Sequence, residues 1–138
     1  MTTVGVEALR RHWQERVPFN ELCGFVVTRW DGAGVRMEVD GADALGNGVG
    51  SLHGGVVATL VDTVANAAAI DVDDFPLGSQ VATVSLTVNY LGPARGHLVA
   101  DAIRTGRGRS LQSVRVDVRG EDDAPIATGL VVVKVSSP

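Results

Sequence analysis

The feature of this chain that most restricts its fold is a helical stretch with almost no polar face. Over residues 55–70, Val56, Val57, Ala58, Leu60, Val61, Val64, Ala65, Ala67, Ala68 and Ala69 surround the axis nearly completely. A helix that is apolar nearly all round is buried on most sides. The rest of the chain must therefore supply the surface that encloses it. The stretch is interrupted by Asp62 and Asn66, and it is too short and too polar to span a bilayer. The run Asp71-Val72-Asp73-Asp74-Phe75-Pro76-Leu77-Gly78 breaks it.

The flanking sequence offers a helix and six strands for that enclosure. Residues 4–17 carry Val6, Leu9, Trp13 and Val17 at spacings of 3, 4 and 4, an amphipathic helix that Pro18 ends. Residues 22–40 read as a hairpin. Gly24-Phe25-Val26-Val27-Thr28-Arg29-Trp30 is its first strand, Asp31-Gly32-Ala33-Gly34 its turn, and residues 35–39 its return strand. A Gly-rich loop containing Asn47 leads into the buried helix. Beyond that helix, Ala82, Val84, Leu86, Val88 and Tyr90 alternate with Thr83, Ser85, Thr87 and Asn89. Strands over 97–105, 110–119 and 125–135 follow, the second with Gln112, Val114, Val116 and Val118 on one face. One long sheet wrapped round one central helix is an α+β arrangement. Four sequential strands with two more at one end leave exposed edges, which pairing into a dimer would satisfy.

Composition narrows the function. A chain of 138 residues fits a single domain with a core that needs neither disulfides nor a structural metal. Only 4% of residues are aromatic, so Val, Ala and Leu must build that core. A net charge of −4, with no basic patch interleaved with aromatics, argues against nucleic acid as the main partner. The lone cysteine, Cys23, has no disulfide partner and no Cys/His company of a zinc site, and reads as a small buried residue. The N-terminal segment lacks the long apolar run of a secretory signal, so a soluble cytoplasmic protein is the expectation.

Two features carry possible chemistry. Thr59, Asp62, Thr63 and Asn66 stand at i, i+3, i+4 and i+7 on the apolar helix, a narrow polar stripe with a single carboxylate. The stripe either faces solvent, making the helix merely amphipathic, or it holds a partly desolvated carboxylate. Desolvation raises the proton affinity of a carboxylate, which suits a general base. His53-Gly54-Gly55 sits at the entrance to the same helix, nine residues before Asp62. Two glycines there let a ligand approach the backbone closely. The first N–H groups of a helix lack partners and carry partial positive charge, so they can hold a carbonyl oxygen as it becomes an oxyanion. The bland counterpart is a tight turn with a structural histidine.

Taken together, Asn47-Gly48, Leu52-His53-Gly54-Gly55 and Leu60-Val61-Asp62 resemble the PaaI-like (phenylacetate-degradation type) thioesterases of the hotdog superfamily. The run from Thr83 through Asn89-Tyr90-Leu91-Gly92-Pro93-Ala94 resembles that family's second signature, and Gly108-Arg109-Ser110 its third. The similarity spans residues 18–135. It implies a single hotdog domain over residues 1–138, a long antiparallel sheet around a central helix. It implies hydrolysis of an acyl-CoA thioester, with Asp62 as general base or nucleophile and the Gly54 N–H polarising the carbonyl. Asn47 matches a position that orients water or the thioester, His53 a histidine that supports the loop, and Thr83 a hydroxyl near the base. Gly55, Tyr90, Arg107, Arg109 and Ser110 fall where the substrate and its coenzyme A would be held. The resemblance places the site between two subunits of a dimer of dimers. Coenzyme A is part of the substrate, and neither a separate cofactor, a metal, nucleic acid nor a membrane is implied. His12, His53 and His97 have no ligand spacing.

Two other functions fit the same fold. A hydratase or dehydratase acting on acyl thioesters would pair a catalytic histidine with a carboxylate, and His53 and Asp62 are the candidates. A non-catalytic acyl-CoA-binding module is the other, and fold alone does not separate it from an enzyme.

Overall fold

The computed structural model describes residues 2–138 and runs in the order α1 (Val6–Glu15), α2 (Pro18–Cys23), β1 (Val26–Asp31), β2 (Gly34–Val39), α3 (Gly54–Ala68), β3 (Gln80–Tyr90), β4 (Leu98–Arg107), β5 (Leu111–Arg119) and β6 (Pro125–Ser136). The six strands form one antiparallel sheet in the spatial order β1-β2-β4-β5-β6-β3. Its inner face curls round α3, which touches β2, β3, β4, β5 and β6. Leu60, Val61, Val64, Ala65 and Ala67 of the helix are fully enclosed with Met37, Leu98, Ala100, Val116 and Val133 of the strands. The sequence periodicity explains the fit: Gln112, Val114, Val116 and Val118 all point inward on β5, as their alternation requires. Small side chains allow close approach. A Cβ on Gly129 of β6 would collide with the Val61 side chain, so that glycine lets sheet and helix touch. No helix among the described residues is long and apolar enough to cross a membrane.

The structure departs from the sequence reading in three places. Pro18 does more than end the first helix: it opens a second, α2, as its first residue. A proline there loses no hydrogen bond and brings a helical φ. Gly24 is correspondingly not strand but the left-handed cap of α2, with φ of 74°. The second departure is strand order. The last four strands are not laid down sequentially, because β3 pairs with β6 while β4 pairs with β2. The crossover through α3 carries the chain from β2 to the far side of the sheet, and β4, β5 and β6 then fill the gap.

As a result β3 is an edge. Its partners on β6 place Leu86 opposite Val131 and Tyr90 opposite Ala127, hence on the helix-facing side. A third departure lies within β3: the register shifts between Thr83 and Ser85, so Thr83, rather than Ala82 or Val84, shares the inward row with Leu86 and Tyr90. Val84, Leu86 and Tyr90 are 56%, 41% and 54% exposed along this edge. A long uncovered edge strand rich in apolar side chains is a pairing surface.

A charged clasp ties the hairpin to β4. His97 stands with Nδ1 2.6 Å from Asp40 Oδ1 and Nε2 2.8 Å from Glu38 Oε1. Both contacts are hydrogen bonds only if both ring nitrogens carry protons, so the pair of carboxylates favours the imidazolium. The hydrogen bond to Glu38, and next that to Asp40, raise the proton affinity of His97. The Thr28 hydroxyl first, and His97 second, hold the Glu38 carboxyl below its usual range. Gly41, directly after Asp40, donates its N–H to Gly96 O at 2.9 Å, so the clasp also anchors the start of the 41–51 loop.

Stability should follow from these directions. The His97 contribution is complete below about pH 6.5, its unfolded value, and fades as pH rises through the higher folded value. The Glu38 contribution persists down to about pH 4.3 and is lost only in stronger acid. Melting temperatures of wild type and His97→Gln should therefore differ most between those limits and converge in alkaline buffer.

Candidate active site

Asp62 lies two turns into α3, half-buried, on the flank that faces β3. The Thr83 hydroxyl donates to its Oδ1 at 2.6 Å. The Asn66 amide nitrogen, one turn on, also reaches Oδ1 at 3.3 Å and donates to Thr83 Oγ1 at 2.8 Å and to the Asp62 carbonyl at 2.8 Å. Both side-chain donors converge on Oδ1, and neither engages Oδ2. One oxygen is thus held in place while the other is left for a reacting group. A carboxylate positioned in this way can accept a proton from water or attack an electrophilic carbon. Asn66 was visible in the sequence only as a member of the polar stripe. Its helical spacing of four from Asp62 was the signal that it belonged to the site.

The stripe itself proves to be two rows. Thr59 and Thr63 turn away from β3: the Thr59 hydroxyl bonds back to Gly55 O at 2.8 Å, and the Thr63 hydroxyl donates to Asn20 Oδ1 of α2 at 3.0 Å. Asp62 and Asn66 form the row that meets β3. Neither of the simple alternatives describes this helix, since one row is spent on packing contacts and the other on the carboxylate.

The N-terminus of α3 is organised by His53. Its Nδ1 accepts the Gly55 N–H at 2.8 Å, so the imidazole caps the helix as its N-cap residue and carries its hydrogen on Nε2. Val56 and Val57 donate their N–H groups to His53 O at 2.9 and 3.4 Å. Among the described residues, the Gly54 N–H is the one donor of the first turn without a partner. Gly55 must be glycine because a Cβ would sit 2.9 Å from His53 Nδ1. Tyr90, at the end of β3, donates its hydroxyl to Gly54 O at 2.6 Å and covers the same turn.

The remaining sequence candidates are not gathered here. Asn47 organises its own loop: its Oδ1 accepts from Val49 N at 2.9 Å and Ser51 N at 3.3 Å, and its amide donates to Ser51 Oγ at 2.8 Å. Arg107, Arg109 and Ser110 lie at the β4–β5 turn, where Arg107 faces Asp71 at 3.6 Å and Arg109 and Ser110 are exposed. Through the register Leu111–Lys134–Ala82, this turn sits at the Gln80 end of β3, opposite the Tyr90 end. Eight residues of α3 separate Gly54 from Asp62, about 12 Å along the axis. The Gly54 N–H and the Asp62 carboxylate of one chain are therefore set well apart.

A family model described as the thioesterase superfamily matches residues 49–127, a span that includes His53, Gly54, Asp62, Thr83 and Tyr90. A Halobacterium salinarum protein with a provisional esterase name is 38% identical over 90 residues, 61% of this chain and 60% of that protein, so the match spans about three fifths of that relative's length. The medium/long-chain acyl-CoA thioesterase YigI of Salmonella typhimurium is 27% identical over 133 residues, covering 86% of each chain. Among solved structures, a thioesterase family protein from Silicibacter pomeroyi superposes with a TM-score of 0.87 at 24% identity, over 97% of this chain and 100% of that one. At that identity the likeness speaks to the fold, and the fold is the hotdog.

The cap assigns His53 a measurable role. His53→Ala should lower stability by about 0.5–2 kcal/mol in chemical denaturation, and His53→Ser, which restores a capping oxygen, should recover most of it. A variant as stable as wild type in the alanine case would show that the imidazole does not cap the helix.

Proposed function

Because this chain belongs to the thioesterase superfamily, we propose that it hydrolyses an acyl-CoA thioester to the free acid and coenzyme A, in the manner of the PaaI-like enzymes. The observation that carries this reading is the Asp62 carboxylate, held through Oδ1 by Thr83 and Asn66 on an otherwise apolar helix with Oδ2 unengaged. The acyl carbonyl rests on the Gly54 N–H. Asp62 takes a proton from water as the water oxygen bonds to the carbonyl carbon, or its own oxygen attacks to give a mixed anhydride that water then opens. In either route the oxyanion collapses, the C–S bond breaks, and the thiolate leaves to be protonated. A preorganised N–H at the developing oxyanion is worth about 2.7–4 kcal/mol in comparable sites. The Salmonella relative is named for this reaction on medium and long acyl chains, which supports the substrate class.

The site is assembled by two chains. The 12 Å estimated between Gly54 and Asp62 is about four times the ~3 Å reach of an oxyanion donor, so one carbonyl takes its N–H and its carboxylate from different protomers. Antiparallel pairing of two β3 edges is isologous and brings the Gly54–Tyr90 end of one chain toward the Asp62–Thr83 region of the other. The same pairing sets Tyr90 of one chain near the Arg107–Ser110 turn of its partner, where both can hold coenzyme A. Asn47 orders the loop that leads into Gly54. Such dimers pair again as a dimer of dimers, and a single unpaired cysteine suits a cytoplasmic setting. A hydratase needs a histidine beside its carboxylate. His53 is instead committed to capping α3, with Nδ1 engaged by the Gly55 N–H.

Thiol release from a panel of acyl-CoAs should fall by about 10²-fold or more in Asp62→Asn and Asp62→Ala, with the melting temperature retained. Unchanged thiol release in both would remove Asp62 from the mechanism. Val84→Arg, on the exposed edge, should elute as a monomer in size-exclusion chromatography and lose activity. A fully active monomer would refute the shared site.

A further inference from the structure

The structure contains a cavity that the hydrolytic residues do not use. It has a volume of about 600 Å³ and is lined by Val4, Leu9, Trp13, Phe75, Leu77 and Val81, with Ala8, His12, Gly78, Ser79 and Gln80 completing the wall. No Asp, Glu, Lys or Arg lines it. That volume falls within the range of small-molecule sites, and its lining is of the apolar kind those sites favour.

Its position links it to Asp62. Val81 and Thr83 are two residues apart on β3, so they share a face and stand about 7 Å apart. Both pair with inward residues of β6, Val135 and Val133. Thr83 carries the hydroxyl that holds Asp62. From the other side, the Trp13 indole N–H donates at 3.0 Å to the carbonyl of Thr63, the residue after Asp62. The cavity therefore lies one strand step from the residue that holds the carboxylate, on the side away from Gly54 and Tyr90.

Both walls are fastened. Asn20 donates to Trp13 O at 2.9 Å and accepts from Thr63 at 3.0 Å, which pins α1 to α3 through one buried amide. Val4 N donates to Phe75 O at 3.0 Å and Leu77 N to Thr2 O at 2.9 Å, which stitches the N-terminal segment to the 75–77 wall. The α1 and 75–77 walls are thus held in place, while the exposed Ala8, Leu77 and Gln80 stand at the cavity's solvent side.

From this geometry we infer that the chamber between α1 and the 75–81 segment receives the acyl chain of the thioester, that the substrate is a linear medium-chain aliphatic acyl-CoA, and that α1 sets the chain length accepted. The inference rests on Asp62 as the hydrolytic centre. A carbonyl held there directs its acyl tail into the adjoining apolar space. A single aromatic ring would leave most of the chamber unfilled, and unfilled apolar space returns no dispersion energy to the ligand. A linear chain can run along Leu9, Trp13 and Phe75 and fill it.

Ala8 and Leu77 line the chamber yet are exposed, so substitutions there spare the core. Ala8→Phe shortens the space and Leu77→Asp places a charge in it. Both should lower kcat/KM for dodecanoyl-CoA by about tenfold or more while leaving acetyl-CoA within about twofold. The preference of wild type for dodecanoyl-CoA over phenylacetyl-CoA should shrink in parallel. A chain-length profile identical in wild type and both variants overturns the assignment, as does a wild type that prefers phenylacetyl-CoA. Binding of dodecanoate, followed by tryptophan fluorescence in the Asp62→Asn background, separates this inference from the catalytic one. Saturable quenching that Ala8→Phe weakens supports the chamber even if no acyl-CoA is hydrolysed, in which case the proposed reaction alone fails. No quenching in the parent or an unchanged response in Ala8→Phe counts against the chamber whatever the activity.

Discussion

Burial of α3 from nearly every side governs this molecule. A fifteen-residue helix built from Val, Ala and Leu has no broad face that water solvates well, so the sheet curls over it and α1 and α2 fasten against it through Trp13 and Asn20. Close enclosure demands small contacts, and Gly129 opposite Val61 meets that demand. It also demands that each polar group on the helix find a partner within the protein. Thr59 turns to its own backbone, Thr63 to Asn20, and Asn66 to Thr83 and Asp62. Asp62 alone keeps an ionisable oxygen outside these bonds. That carboxylate stands where enclosure stops, at the boundary between α3 and the edge strand β3.

The same boundary explains why the edge and the half-site coincide. The crossover through α3 delivers β3 to the outside of the sheet, where it has β6 on one side and no partner on the other. Its inward row runs on as Leu86 and Tyr90, both partly exposed, so apolar side chains and unpaired backbone are presented together. Thr83 and Tyr90 belong to that row, and they touch Asp62 and Gly54 respectively. A surface that pairs with a second copy would therefore carry the two halves of the proposed catalytic apparatus into register. The helix supplies both halves because its N-terminus offers an N–H with no partner and its middle offers a carboxylate, and the helix geometry keeps them too far apart to act together within one chain.

Local regularities made much of this legible from residues alone. Periods of 3.6 and 2 are properties of neighbouring residues, so α1, α3 and the inward set Gln112, Val114, Val116 and Val118 of β5 could be read directly, whereas the register shift between Thr83 and Ser85 broke the alternation read on β3. A carboxylate on an apolar helix and two glycines at its start are conspicuous without coordinates, which is why Asp62 and Gly54 could be singled out. The short α2 gave no such signal. Six residues hold too few turns for a period, and the Asn20 contact to Trp13 that supports it reaches back into another helix.

Tertiary structure decided the rest, because it depends on which surfaces meet. The four polar residues of α3 fall within one arc, yet Thr59 and Asp62 differ by about 60° round the axis, enough for one row to meet α2 and the other β3. Sequence spacing could group them but could not name their partners. Strand order is of the same kind: β3 and β4 are neighbours in the chain, and only the path of the crossover shows that β6 lies between β3 and the rest of the sheet. The clasp of His97 between Glu38 and Asp40 and the chamber behind Val81 join residues far apart in the chain. The residues with unusual chemistry were set by the sequence itself, since an ionisable or glycine position stands out against an apolar pattern. Their partners and exposure came from long-range packing, which no local period encodes.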